Sequence, residues 1–339
     1  MAESLEQLDL GGEACLIVGQ EGSQIRLKVS PVFLSHASPY FKTLFGPRFK
    51  EGPDAAAGKD IELKDDDPQA FKLICEILHM RYELPEEALT ADELLNLAIV
   101  VDKYDCVSAV KLAVTSLFPQ SASSLDLVEM GKFITAAYLF DHPQLFQRYT
   151  AAVALSFTND LTEFASLECG RHVPGIVWYE SQTNLLQRAS LTDPDMIKRN
   201  RSNARSHFVK SLSWDGNRVC ASAKCTGCQI LFARTTKRLK NMGMLPPDPN
   251  SKSVIALCSK LQSMLPWEDD CTNAKPCYCY DITGTRALST EQLKKIAAEM
   301  VLECKGLCLD CVNAGGRNDG RCRLRDCCNA SKTSARVRG

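Results

Sequence analysis

The chain has 339 residues, 45% hydrophobic and 24% charged, a composition that suits a globular protein with room for two or three domains. Its longest apolar stretch, LLNLAIVV at 94–101, falls far short of the roughly 18 residues a membrane span needs, and the acidic opening MAESLEQLDLGG has no secretion or transit pattern, so a soluble intracellular protein is expected. The net charge of −1 conceals two unlike halves: residues 1–190 hold 15 Lys+Arg against 27 Asp+Glu, giving −12, and residues 191–339 hold 25 against 14, giving +11.

EACLIVG (13–19) and SQIRLKV (23–29) predict two short strands joined by the turn residues QEG, a hairpin. In SPVFLSHASPYFKTLFG (30–46), Pro31 and Pro39 each follow a serine able to cap a first turn, and Phe33, Leu34, Phe41, Leu44 and Phe45 recur at helical spacing. A third strand, KDIELKD, leads to a helix with Asp67 as N-cap, Pro68 as first residue, and Phe71, Ile74, Cys75 and Leu78 on one face. ADELLNLAIVVDKYD sets Leu94, Leu97, Ala98 and Val101 on the stripe of another helix. Two strands, two helices, one strand and then several helices make an α+β order. Cys15, Cys75 and Cys106 fall on or beside apolar positions and read as small buried hydrophobes. His36, His79 and His142 lie in separate elements with no carboxylate or nucleophile at a suggestive offset, and read as surface or capping residues.

Across about residues 12–118 this order resembles the BTB/POZ family, through VG after the first strand, the SPYF…F helix, L-x-D-x-D-x-x-AF before the next helix, and L…A…DKYD later. Many members carry His then Lys after the second strand where this chain has Ser30 and Pro31, so pocket chemistry seen in some members is not carried over. The wording of these motifs, with AAYLFDHPQLF after them, looks most like fungal BTB proteins. The resemblance implies a BTB/POZ fold and recruitment rather than catalysis. Members dimerise or bind scaffolds through strand edges and helix faces, and some are substrate adaptors for cullin-based ubiquitin ligases. In RFKEG, Phe49 and Glu51 stand where cullin-binding members carry a hydrophobic-x-Glu element, so they are the candidate partner-binding residues. Covering of the helix end by Phe49 is the alternative.

Residues 123–157 read as two helices separated at DHP, Asp141 and Pro143 giving the stop and restart and Ser124 to Asp126 the cap. This pair is expected to pack on the last BTB helices as a helical extension over 119–190. The interrupted basic run Lys198, Arg199, Arg201, Arg205 and Lys210 reads as a solvated helix face, with a nuclear-import or phosphate-binding patch as the alternative.

The region 191–339 is the expected third unit, a small Cys-rich module. Of the 17 cysteines, Cys15, Cys75, Cys106 and Cys169 are scattered, and the other 13 crowd into 220–328. In a reducing compartment such crowding points to structural zinc rather than disulfides, with a set of free thiols, some of them oxidised, as the alternative. Two Cys-x-x-Cys loops, Cys225–Cys228 and Cys308–Cys311, together fit a ribbon-like four-cysteine site, because each loop delivers two thiolates to one tetrahedral ion. The second follows STEQLKKIAAEMVLECKGLC, a helix capped by Ser289 or Thr290 with Leu293, Ile296, Met300 and Val301 as its apolar stripe and Cys304 and Cys308 four apart at its end. Cys220, Cys271, Cys277, Cys279, Cys304, Cys322 and Cys327 are candidates for a second metal site, and Cys328 adjoins the last of them. Spacing excludes several zinc classes. His207 is the only histidine beyond residue 200, against the two a classical finger needs, and a RING segment Cys-x-His-x-x-Cys is absent. After six further residues each knuckle meets Thr235 or Asn318 where a fungal binuclear cluster has Cys. Trp178, Trp214 and Trp267 read as core or interface anchors.

These features converge on a non-enzymatic interaction protein that forms a homodimer or docks on a scaffold through its N-terminal half and binds another macromolecule through its C-terminal half. The alternative is a nuclear nucleic-acid-binding transcriptional regulator using the basic, Cys-rich half.

Overall fold

The expected hairpin is β2 (Ala14–Val18) and β3 (Ile25–Val29), antiparallel, with Leu16 opposite Leu27. Ala14, Leu16 and Val18 point inward while Cys15 and Ile17 stay half-buried, the alternation a one-sided sheet demands. Gly19 ends β2 at φ +97°, and a Cβ there would lie 2.6 Å from Pro68 Cγ, so this turn requires glycine twice over. In this computed structural model the described residues are 5–9, 11–46, 60–81, 89–122, 125–157, 167–174, 177, 237, 240–241, 253–262, 290–315 and 322–324.

Two further strands complete the sheet, in the order β1-β3-β2-β4. β4 (Asp60–Leu63) runs parallel to β2 and buries Ile61. β1 (Leu5–Gln7) runs parallel to β3 and is an addition to the expected elements; three residues with both ends exposed have no readable period. Arg26 of β3 reaches the Asp60 carboxylate at 2.8 Å, pinning β4 beside the hairpin.

α1 (Pro31–Ala37) and α2 (Pro39–Leu44) follow β3. The two serine caps differ. Ser38 Oγ accepts the Phe41 N–H at 3.1 Å, whereas Ser30 makes no side-chain cap bond. Leu34, Phe41 and Phe45 enter the core, while Phe33 stays exposed. α3 (Pro68–Leu78) starts as expected, with Asp67 Oδ1 accepting the Ala70 N–H at 2.8 Å. α4 (Ala91–Lys103) opens on a Thr90–Glu93 capping box, and α5 (Val107–Leu117) follows it.

The next pair is α6 (Leu127–Leu139), opened by an Asp126–Glu129 capping box, and α7 (Pro143–Ser156), whose N-cap His142 accepts the Leu145 N–H. Asp141 between them sits at φ 47°, the left-handed conformation that stops a helix, as Asp105 does after α4 at φ 51°. α6 packs along α4, as the extension reading expects, and a 3₁₀ turn (Glu168–His172) lies against α6. Beyond it stand α8 (Val254–Gln262), α9 (Thr290–Glu303) and α10 (Leu309–Asn313). α8 packs on both α9 and α7, and α10 also packs on α7. One apolar core therefore runs from Leu8, just after β1, to Val312 in α10. No helix among the described residues is long and apolar enough to cross a membrane.

Of the surface and capping readings of His79, capping holds: it is the buried C-cap of α3, its Nδ1–H donates to the Cys75 carbonyl at 2.7 Å and its Nε2 accepts the Ser30 N–H at 3.0 Å, tying α3 to the start of α1. One expectation needs correction. The long helix of the Cys-rich region stops at Glu303, so Cys304 and Cys308 do not share a helical face; Cys308 is the N-cap of α10. The apolar stripe of α9 is also narrower than its spacing suggests, with Ile296 and Met300 buried but Val301 exposed.

Candidate functional site

The DKYD segment is the anchor of the N-terminal unit. Tyr104 is 1% exposed and stacks on Phe41 with ring centroids 4.9 Å apart, while Phe71 meets it edge-on at 5.3 Å. Its hydroxyl donates to Asp66 Oδ2 at 2.6 Å, and Lys103 Nζ holds the other oxygen of that carboxylate at 2.7 Å. Burial, then the hydrogen bond to Asp66, push the Tyr104 hydroxyl far above the ordinary phenol range, so it stays a donor. Ser38 closes the circuit, its hydroxyl donating to the Tyr104 carbonyl at 2.5 Å while capping α2. Helices α2, α3 and α4 and the turn that follows β4 are thus locked around one tyrosine.

Strands β2, β3 and β4, the paired Pro-opened helices and the tyrosine anchor lie within residues 9–120, which match the BTB/POZ domain family. Residues 9–120 are a BTB/POZ domain. The BTB/POZ domain is a protein-interaction module, not a catalytic one, and here it is followed by α6 and α7. No curated protein matches the chain. Within the BTB domain, Cys75 and Cys106 are fully buried, as expected, and burial pushes both thiols up, Cys106 to about 11. Cys15 is half-buried on β2 beside Arg26 and Asp60. Large apolar side chains stay exposed on its first helices: Val32 and Phe33 of α1 and Tyr40 of α2. Phe49 and Glu51 lie outside the described residues.

The second place of interest is around α10. Cys308, its N-cap, Cys311, in its body, and Cys322, beyond it, bring three sulfurs within 4.8 Å of one another. Cys311 Sγ and Cys322 Sγ are 3.5 Å apart, beyond the about 2.05 Å of a disulfide. Cys308 and Cys311 are fully buried and Cys322 is half-buried. Three converging thiols suit a soft, tetrahedral metal ion such as Zn²⁺. The knuckle Cys308–Cys311 therefore does stand with a third cysteine, and that cysteine is Cys322 from the candidate second set. Cys304 is outside this trio and belongs to the apolar core, as does Cys258, which donates to the Ala297 carbonyl across α8 and α9 at 3.6 Å. Cys220, Cys225, Cys228, Cys271, Cys277, Cys279 and Cys327 lie outside the described residues.

Arg323, next to Cys322, is the functional residue that sequence reasoning did not single out. Its backbone N–H donates to Asp310 Oδ2 at 2.7 Å and its Nε–H to Asp310 Oδ1 at 2.8 Å. The guanidinium also grips Asp141 through two bonds of 2.6 Å. Burial alone would raise the Asp310 carboxyl, but the Arg323 bonds outweigh it and hold it low. The Cys-rich segment is seated nearby at Leu307, whose N–H donates to the buried Thr150 hydroxyl of α7 at 2.8 Å. A Cβ at Gly306 would overlap the Gln147 carbonyl oxygen and lie 2.8 Å from Thr150 Oγ1, so glycine lets the two backbones touch.

Proposed function

We propose that this chain is an interaction scaffold with no catalysis of its own. Its three parts are a BTB module over 12–118, a helical extension over 119–190 and a zinc-stabilised Cys-rich unit over 191–339. The observation that carries the reading is the BTB/POZ match at 9–120. Exposed Val32, Phe33 and Tyr40 on its first helices support self-association, because apolar side chains of this size at a surface favour burial against a partner. In this reading two copies pair through the BTB module and the chain bridges them to another protein. Light scattering on the full chain tests this: a dimer is expected, with Val32→Asp combined with Phe33→Asp giving a folded monomer, and a monomeric wild type would overturn it.

The finer role is that of an adaptor for a cullin-based ligase, with Phe49 filling a pocket on the cullin scaffold and Glu51 fixing its orientation. Pull-down of a cullin that is unaffected by changing both residues to Ala would sink this role while leaving the dimer intact. Zinc is the structural cofactor of the C-terminal unit in this reading, supported by the converging thiols of Cys308, Cys311 and Cys322.

A further inference from the structure

We propose that one zinc ion bound by Cys308, Cys311 and Cys322 is the latch that fastens the C-terminal segment to the helical extension, through a clasp made by Arg323 on Asp141. The inference rests on reading the C-terminal cysteines as metal ligands and is independent of the BTB pairing.

The distances support the ligand set. A tetrahedral ion with Zn–S bonds of about 2.3 Å sets its sulfurs roughly 3.8 Å apart. The Cys311–Cys322 separation of 3.5 Å and the common limit of 4.8 Å bracket that spacing. Neutral thiols are weak hydrogen-bonding groups and have little reason to converge from two stretches of chain, whereas an ion rewards each one. The trio also changes the expected pairing. A tetrahedral ion already holding Cys322 has one place left, so at most one of Cys225 and Cys228 completes it.

The latch and the clasp are mechanically connected. Asp310 lies inside the knuckle, between Cys308 and Cys311, and its carboxylate receives both the backbone N–H and the Nε–H of Arg323. Fixing Cys322 to the ion therefore fixes the next residue against the knuckle. From there the guanidinium extends across to Asp141, 182 residues earlier, in the turn between α6 and α7. Two carboxylates from distant segments share one arginine in a paired geometry that lysine cannot reproduce. Loss of the ion frees Cys322, and with it the arm that carries the clasp.

The test uses the full chain, purified under reducing conditions, with zinc counted per molecule and thiols alkylated with and without a chelator. Cys308, Cys311 and Cys322 are expected to become reactive together on chelation, while buried Cys75 and Cys106 of the BTB domain do not change. Equal reactivity of the trio with and without chelator would overturn the site, and needs no variant that must fold. Cys322→Ser is expected to lower the zinc content by one equivalent, and unchanged content overturns Cys322 as a ligand. Arg323→Gln is expected to keep the zinc and raise amide exchange around Asp141 and Leu307 by about tenfold, the scale of losing charge-assisted hydrogen bonds in one local unit. Unchanged exchange there would overturn the clasp. Dimer mass measured on the same samples reports the BTB pairing separately.

Discussion

Tyr104 is the residue on which most of the BTB domain closes. Replacing it with Phe keeps the stacking on Phe41 but removes one donor from the nearly buried Asp66 carboxylate. The expected cost is about 1–3 kcal/mol, read as a lower denaturant midpoint with an unchanged slope. His79 gives the domain a pH dependence. Burial is the first cause that lowers its pKa, with Arg81 acting the same way, while the Cys75 carbonyl and Asp9 partly oppose them. A histidine whose folded pKa is depressed binds its proton more readily when unfolded, so stability is full above about pH 6.5 and falls as pH drops toward the folded value. Unfolding midpoints at pH 7.5 and 5.5 should therefore differ, and His79→Gln should shrink the difference. Part of it will persist, because His142 is shifted in the same direction, mainly by burial. Neither role was legible in the sequence. A lone histidine and the aspartate Asp66 acquire their meaning only from Ser30 and Tyr104, which are 49 and 38 residues away.

At the level of elements, local chemistry was the part most readily read. Asp67, Ser38 and Asp141 do what their positions beside proline or at a helix end suggest, because a cap and its target N–H lie within three residues. Short or non-local elements were not legible. β1 exists through its pairing with β3, and the end of α9 at Glu303 is set by the seating of Gly306 and Leu307 on α7. That seat is testable. Gly306→Ala forces a methyl group into the Gln147 carbonyl, and separating the two backbones is expected to cost about 1–3 kcal/mol, the scale of overpacking. Thr150→Val leaves the Leu307 N–H without its acceptor at a buried position, for a similar loss of about 1–3 kcal/mol. Amide exchange at Leu307 should rise in both variants. Because the two sites touch, the double variant should cost less than the sum.

Over the whole molecule, the division into an acidic half and a basic, Cys-rich half was plain from the sequence, and the fold qualifies it. α8, α9 and α10 share one apolar core with α6 and α7, so the C-terminal segments are built onto the extension. Expression of residues 191–339 alone should therefore expose the face that meets α7, and dye binding or aggregation absent from the full chain would show it. The cysteine trio was half legible. Cys-x-x-Cys announces a knuckle by spacing, but Cys322 stands eleven residues beyond Cys311 with no periodic sign, and Arg323 carries no sign at all.

The Arg323–Asp141 contact joins residues 182 apart, and Leu307 meets Thr150 across 157. Chains grow from the N-terminus at about 5–20 residues per second, so the receiving face of α7 leaves the ribosome roughly 10–30 s before the segment that covers it. The BTB domain is then complete and able to choose a partner while the C-terminal half is still being made. Any engagement of a partner by the BTB domain and closure of the C-terminal segments onto α7 are thereby separated in time by the order in which the sequence is written.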